Sequence, residues 1–223
     1  DYAVLGNHEF DGSRNSLIAR LAESKFRWLS GNCGEASGER AGQAFPGVGG
    51  WDTVRVGGVN VGIVGVTLDV TGYASWVRCH NPDSATTALV DTVMHAGADV
   101  VVALTHRYMR EDERTLATEP RITVILGGHD HDGRRAVRDG RLLIKAVSNA
   151  RTAALVTLTQ RDGGWVVRDS IFSIGPGLRD EPRTAAVVAA WRDTLTRRAG
   201  PDRILGMAPE PINAIDSISK RES

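Results

Sequence analysis

The sequence lacks the features that define several classes of protein. No apolar run approaches the ~20 residues that a membrane-spanning helix needs, and there is no internal repeat or low-complexity tract. There is also no excess of charge, since 27 Lys and Arg balance 27 Asp and Glu. This balance argues against a protein that binds nucleic acid or an anionic membrane, because such binding relies on surplus basic charge. Nucleic acid is therefore not an expected partner.

Cysteine is scarce as well. Cys33 and Cys79 are the only two in 223 residues, too few for a disulfide framework. They permit either one bridge or two buried thiols. We expect unpaired thiols with no role in the chemistry, because a free cysteine behaves as a small buried hydrophobe.

Three short hydrophobic runs each lead directly into a group of polar residues, in which Gly, Asn, His and Asp predominate. Runs of this kind, rich in β-branched residues and closed by polar ones, predict buried strands. The runs span residues 3–5, 100–104 and 122–126, and they lead into Gly6-Asn7-His8-Glu9-Phe10-Asp11, Thr105-His106 and Gly127-Gly128-His129-Asp130-His131-Asp132.

The ends of these predicted strands indicate a shared site. In open α/β sheets, ligands bind beyond the carboxyl ends of the strands. Asn and His side chains from three strand ends are therefore expected to meet in one place, which is how a metal site is assembled from distant parts of a sequence.

The remaining pattern is that of an α/β domain followed by a boundary. A two-glycine turn at Gly57-Gly58 predicts a hairpin, and the Gly-rich segment 33–50 predicts a surface loop. Prolines and glycines in 175–182 predict a boundary. Helices are predicted over 13–24, 83–96, 111–118 and 185–198, and a meander of three strands over 142–147, 153–159 and 165–174.

The predicted ligands pose a problem of charge. Neutral imidazole suits Zn, Mn, Fe and similar ions, and an Asn oxygen suits the harder ones. His129 and His131, two residues apart on a turn, fit two adjacent metals better than one. Two divalent cations carry about +4, which is costly to bury without anionic ligands. Either carboxylates lie upstream of Asp1, or nearby ones contribute, or the site does not hold two metals. The nearby candidates are Glu9, Asp11, Asp130 and Asp132.

The three motifs, in this order, resemble those of the calcineurin-like metallophosphoesterases. The string Gly6-Asn7-His8-Glu9-Phe10-Asp11 looks like the 5′-nucleotidase branch, and Ile144-Lys145-Ala146-Val147-Ser148-Asn149-Ala150-Arg151 is similar to the strand and turn after that branch's His-x-His motif. Ala208-Pro209-Glu210-Pro211 and Arg221-Glu222-Ser223 resemble the segment that leads into the branch's C-terminal domain.

The resemblance implies a fold and a domain organisation. The expected fold class is α/β, with two β-sheets packed face to face and flanked by helices in four layers, N-terminally incomplete. The expected domains are a partial catalytic domain over 1–175, a linker helix region over 176–206 and the start of a C-terminal domain over 207–223. The family's Asp-x-His and Gly-Asp strand ends do not precede Gly6. We therefore expect a fragment that is nearly inactive alone and binds at most one metal tightly.

The resemblance also implies roles for individual residues. Asn7, His106 and His129 would bind the second of two divalent ions (Zn, Mn, Fe, Co or similar), and His131 would bind the first. His8 would not be a ligand. It would face the phosphate and stabilise transition-state charge, while Asp11 orients it and raises its basicity.

The implied activity is a metal-dependent phosphohydrolase that removes phosphate from nucleotides by in-line attack of a metal-bound hydroxide. Alternatives on the same fold are a cyclic-nucleotide phosphodiesterase, a nucleotide-sugar hydrolase and a thiosulfohydrolase. A non-catalytic metal-binding module is an alternative of another class. The family is often extracytoplasmic, and its C-terminal domain largely holds the nucleobase.

Overall fold

The structure is a computed structural model that describes residues 1–200 and Arg203. Contacts divide the chain into one unit over Asp1–Gly175 and a second over Pro176–Ser223. The segments 208–211 and 221–223, on which part of the family resemblance rests, lie outside the described residues, as does the predicted domain over 207–223.

The first unit contains thirteen strands and three helices within the described residues, and the second contains one helix. The strands are β1 (Tyr2–Val4), β2 (Arg27–Leu29), β3 (Cys33–Glu35), β4 (Val48–Gly49), β5 (Trp51–Val56), β6 (Val59–Thr67), β7 (Val77–Cys79), β8 (Val100–His106), β9 (Ile122–Gly127), β10 (Arg134–Arg138), β11 (Arg141–Lys145), β12 (Thr152–Arg161) and β13 (Gly164–Ser173). The helices are α1 (Arg14–Glu23), α2 (Pro82–His95), α3 (Met109–Thr118) and α4 (Pro182–Ala199).

A six-stranded sheet is the centre of the first unit. Its order is β10-β11-β9-β8-β6-β5; the inner strands β11, β9, β8 and β6 run parallel, and the edge strands are antiparallel to their neighbours. Because β8 and β9 are parallel neighbours, His106 and the loop after Gly127 emerge at the same edge of the sheet.

The two faces of this sheet are covered differently. Helices α2 and α3 contribute Val90, Val93 and Leu116 to a core cluster on one face. The hairpin β12–β13 contributes Val156 and Val167 to a second cluster on the other. Apolar area on both faces is thereby removed from water, the main source of stability for such a layered domain.

A smaller sheet of order β1-β2-β4 carries the Asn7 segment. Its strands are parallel, and its core includes Leu5, Phe10, Leu17 and Phe45. Thr67 at the end of β6 donates its hydroxyl to the Leu5 carbonyl oxygen at 2.8 Å. This bond joins the β1 end to the large sheet.

The predicted helices begin and end within three residues of the observed ones, and two of them start at standard capping residues. Ser13 Oγ accepts from the Ser16 amide at the start of α1, and Asn81 Oδ1 accepts from the amides of Asp83 and Ser84 at the start of α2. Both satisfy backbone donors that a helix start leaves free. No helix in the described part of the chain is long and apolar enough to cross a membrane.

The expectation of unpaired cysteines is wrong, and the loop predicted over 33–50 is correct only for residues 36–47. Cys33 and Cys79 form a disulfide, and they face each other in the antiparallel pair β3–β7. Segment 33–50 also contains β4. These strands are only two or three residues long, too short to show a periodic pattern, and their pairing partners are distant in sequence.

The predicted three-stranded meander is also wrong in its connectivity. β11 is an inner strand of the large sheet, parallel to β9, whereas β12 and β13 form a separate hairpin sheet. An edge strand that was not predicted, β10, pairs with β11. Its sequence, Arg-Arg-Ala-Val-Arg, is mostly charged because an edge strand faces water.

Candidate active site

Three of the predicted ligands come together at the ends of three strands. Asn7 follows β1, His106 is the last residue of β8, and His129 lies two residues after β9. Asn7 Oδ1 lies 3.0 Å from His106 Nε2, and the ring centroids of His106 and His129 are 5.2 Å apart. An amide oxygen and two imidazoles thus occupy one small region.

Two glycines make room for the His106 ring. A Cβ added at Gly6 would lie 2.7 Å from His106 Cε1, and one at Gly128 would lie 3.1 Å from its Nδ1. The first distance is shorter than any real carbon contact. A side chain at position 6 would therefore displace the His106 ring, and glycine permits the close approach of the backbone to that ring.

The two imidazoles are held in the neutral form. Burial lowers the pKa of His106 to about 4, with smaller contributions from the charges of His129, Lys145 and His8. Burial likewise lowers the pKa of His129, against the opposing charge of Asp130. A neutral imidazole keeps a ring-nitrogen lone pair, which is the form that binds metal.

His8 and Asp11 form an exposed pair next to Asn7 in the sequence. His8 Nδ1 and Asp11 Oδ2 are 2.7 Å apart, and the His8 side chain is 71% exposed. The intervening residues form a 3₁₀ turn that is anchored by buried Phe10. The carboxylate thus contacts one ring nitrogen, Nδ1, and the ring itself faces solvent.

Each of the four nearby carboxylates contacts a donor of the protein itself. They pair as follows: Glu9 with the Gly6 amide, Asp11 with His8, Asp130 with Lys145, and Asp132 with Arg134. Within the described residues there is no group of three or more His, Cys, Asp or Glu side chains arranged to hold a metal ion. The side chains that do meet, Asn7, His106 and His129, are an amide and two imidazoles whose pKa values are lowered, so they are neutral.

The donor set fits part of a divalent-metal site. A side-chain amide oxygen and neutral imidazole nitrogens are donors that divalent transition ions accept. Because these groups are uncharged, they can be partly buried at little cost. His131 is placed differently. It is exposed, and among residues 1–200 no hydrogen bond or aromatic contact joins its ring to Asn7, His106 or His129. Its role as a ligand stays a prediction.

Two residues near the site were not singled out from the sequence. Tyr108 packs edge-on against His129, with ring centroids 4.3 Å apart. Lys145, which is fully buried, donates to backbone carbonyls of both histidine loops. Lys145 had a detectable signal in the sequence. It is the one charged residue in the apolar run 142–147, and a lysine in a buried strand must be paired.

The fold is that of the calcineurin-like phosphoesterases. A calcineurin-like phosphoesterase, YfkN from Bacillus subtilis, superposes with a TM-score of 0.70 at 19% identity over 90% of this chain and 71% of that one. A 5′-nucleotidase precursor from Thermus thermophilus superposes at 0.73, with 20% identity over 88% and 43%. The sulfate thiohydrolase SoxB from Thermus thermophilus superposes at 0.77, with 19% identity over 88% and 37%. The predicted fold class is confirmed.

The curated relatives in sequence are 5′-nucleotidases, which confirms the predicted resemblance. The 5′-nucleotidase of Homo sapiens is 33% identical over 144 residues, 59% of this chain and 24% of that protein. The snake venom 5′-nucleotidase of Naja atra is 29% identical over 137 residues, 58% of this chain and 25% of that protein. No protein-family profile matches. The chain spans about a quarter of the length of these relatives.

Proposed function

We propose that this chain is part of the catalytic domain of a metal-dependent 5′-nucleotidase-like phosphohydrolase, acting on nucleotide monoesters. The observation that carries the proposal is the meeting of Asn7 and His106 at 3.0 Å, with His129 alongside. The similarity in sequence to 5′-nucleotidases supports the choice of a phosphate ester over other substrates of this fold.

Asn7, His106 and His129 are the residues that would hold one divalent ion, and His131 is proposed as a ligand of a second. When bound, such ions polarise phosphoryl oxygens and lower the pKa of water. The residues themselves contribute lone pairs rather than charge. The anionic ligands that two cations require are assigned to no residue described here.

His8 is the group proposed to act on the phosphate. Its ring is exposed and held at Nδ1 by Asp11, so Nε2 is free to donate a proton or a hydrogen bond. In that position it would stabilise the charge that develops on the transferred phosphoryl group and protonate the leaving oxygen. Asp11 would hold the ring in position during that step.

The first test is hydrolysis of AMP with added Mn²⁺ or Zn²⁺ by the full-length protein and its His8→Ala variant. We expect turnover to fall by ~10²-fold or more, as is typical for a general acid or an electrostatic stabiliser. His95→Ala serves as the matched control, because His95 is an exposed residue of α2 that bonds to its own helix. Unchanged turnover in His8→Ala would remove His8 from the mechanism.

The same assay separates the alternatives. A cyclic-nucleotide phosphodiesterase would prefer a cyclic phosphodiester, and a nucleotide-sugar hydrolase would prefer a pyrophosphate. A thiosulfohydrolase would prefer a substrate in which a sulfonate group is bonded to a sulfur atom. SoxB is among the similar folds, which makes the last a specific candidate. A protein that binds metal but turns over none of these substrates would be a binding module.

We further propose that the protein works outside the cytoplasm, with a C-terminal domain that binds the nucleobase. The Cys33–Cys79 disulfide supports the location, because disulfides persist in oxidising compartments and are rare in reducing ones. Two free thiols in the protein isolated from its native compartment would contradict it.

A further inference from the structure

A buried lysine contacts both loops that carry the paired histidines. The ammonium of Lys145, at the end of β11, donates to the Arg107 carbonyl oxygen at 2.5 Å and to the Gly128 carbonyl oxygen at 3.0 Å. Arg107 directly follows His106, and Gly128 directly precedes His129. One nitrogen atom is therefore hydrogen-bonded to the backbone next to His106 and to the backbone next to His129, the two candidate metal ligands.

Two carboxylates compensate the buried charge. Asp112 Oδ2 and Asp130 Oδ2 each lie 2.8 Å from Lys145 Nζ, and Asp112, like Lys145, has no exposed surface. Asp112 also accepts from the Thr105 hydroxyl at 3.0 Å, next to His106 in β8. An uncompensated buried ammonium would be strongly destabilising, and these contacts make it tolerable.

Stability alone does not account for a charge at this position. Leu143 and Ile144 fill the preceding positions of β11 with apolar side chains and are buried, and well-packed apolar residues often replace a buried ion pair without loss of stability. What an apolar side chain lacks is a donor that reaches two carbonyls on different loops. That property depends on the ammonium.

We propose that Lys145 is a positioning residue for the metal ligands, fixing the separation of the loops that present His106 and His129. The inference rests on the proposed function, because it assumes that these two imidazoles bind a metal. Residues that hold ligands in place typically contribute 10- to 100-fold to metal affinity.

The experiment compares Zn²⁺ affinity by calorimetry in the parent chain, in Asp112→Asn, and in Lys145→Met combined with Asp112→Asn. Asp112→Asn is the matched control: it removes the ion pair with Asp112 and leaves the ammonium paired with Asp130 and in contact with both carbonyls. The double variant removes the ammonium without leaving an unpaired buried carboxylate at 112. If the double variant does not fold, Lys145→Leu combined with Asp112→Asn makes the same comparison with a different apolar side chain, which also has no donor.

A second readout needs no metal. The Gly128 amide donates to the Thr105 carbonyl oxygen at 2.8 Å, so its hydrogen exchange in the metal-free chain reports whether the His129 loop is anchored to β8. Loss of Lys145 is expected to speed this exchange, while amides in the centre of β6 keep their protection.

The expected result is Zn²⁺ affinity about 10- to 100-fold weaker in the double variant than in Asp112→Asn at comparable thermal stability, with faster Gly128 exchange. Equal affinity in these two variants, or unchanged Gly128 exchange, would overturn the positioning role. If the parent chain binds no Zn²⁺, the proposed metal site fails, and Gly128 exchange still decides whether Lys145 anchors the loop.

Discussion

At the scale of the residue, the site depends on keeping two imidazoles neutral in a crowded, partly buried place. His106 lies between Gly6 and Gly128 and beside Asn7. Charge on its ring would be unfavourable there, because burial disfavours the protonated form and a buried lysine lies nearby. Its pKa is therefore lowered to about 4.

This pKa predicts how stability changes with pH. In the unfolded chain a histidine has its ordinary pKa of about 6.5, and in the folded chain the pKa of His106 is about 4. Between these values the unfolded state binds more protons, so the free energy of unfolding falls as pH falls from about 6.5 to about 4. Above that window His106 contributes no pH dependence.

The measurement is urea unfolding of the metal-free chain at several pH values, compared with a His106→Gln variant. The variant should lose part of the slope within this window. His95→Gln, whose residue is exposed on α2, should keep it. A slope that His106→Gln leaves intact would show that another group is responsible.

At the scale of the element, the central sheet and the small sheet approach too closely for any side chain at some positions. A Cβ at Gly65 in β6 would lie 2.2 Å from the Cβ of Leu29 at the end of β2. The backbone amide of Gly65 also donates to the Gly50 carbonyl oxygen at 2.9 Å. The contact between these strands brings the Asn7 segment towards the His106 strand.

We expect Gly65→Ala to lower the free energy of unfolding by about 1–3 kcal/mol, because overpacking a close contact forces backbone shifts. Gly175→Ala is the control, since nothing lies within 4 Å of a Cβ at that position. Chemical denaturation of both variants checks the prediction. Equal stabilities would mean that the two sheets separate without cost.

At the scale of the whole molecule, the disulfide joins two segments that are 46 residues apart in sequence. Cys33 lies four residues after β2, and Cys79 lies three residues before α2. A crosslink that closes a loop of this length mainly restricts the unfolded chain, although that account depends on the model used.

Reduction should therefore lower the free energy of unfolding by about 2–4 kcal/mol. Urea unfolding with and without reductant measures this difference. The double variant Cys33→Ala with Cys79→Ala should have the same urea midpoint with and without reductant. If reductant leaves the free energy of unfolding of the parent protein unchanged, the disulfide does not form in solution.

The strand ends of the candidate site could be recognised from short local patterns. A β-branched run predicts a strand, and the Gly and His residues that follow it predict where the strand ends. Asn7, His106 and His129 therefore lie at or just after the ends of three strands, as the sequence predicts. The 3₁₀ turn over His8–Phe10 and the His8–Asp11 contact are also local, since Asp11 is the third residue after His8.

Other features needed the tertiary structure, because they depend on residues that only folding brings together. Asn7 and His106 meet across a separation of 99 residues, and Lys145 reaches the Arg107 carbonyl across 38. No local pattern reports whether a cysteine has a partner or whether a nearby carboxylate already has a donor. The sequence by itself determined which residues stand at the strand ends. Only the tertiary structure decided which partners orient them, because electrostatic and steric contacts depend on distance in space.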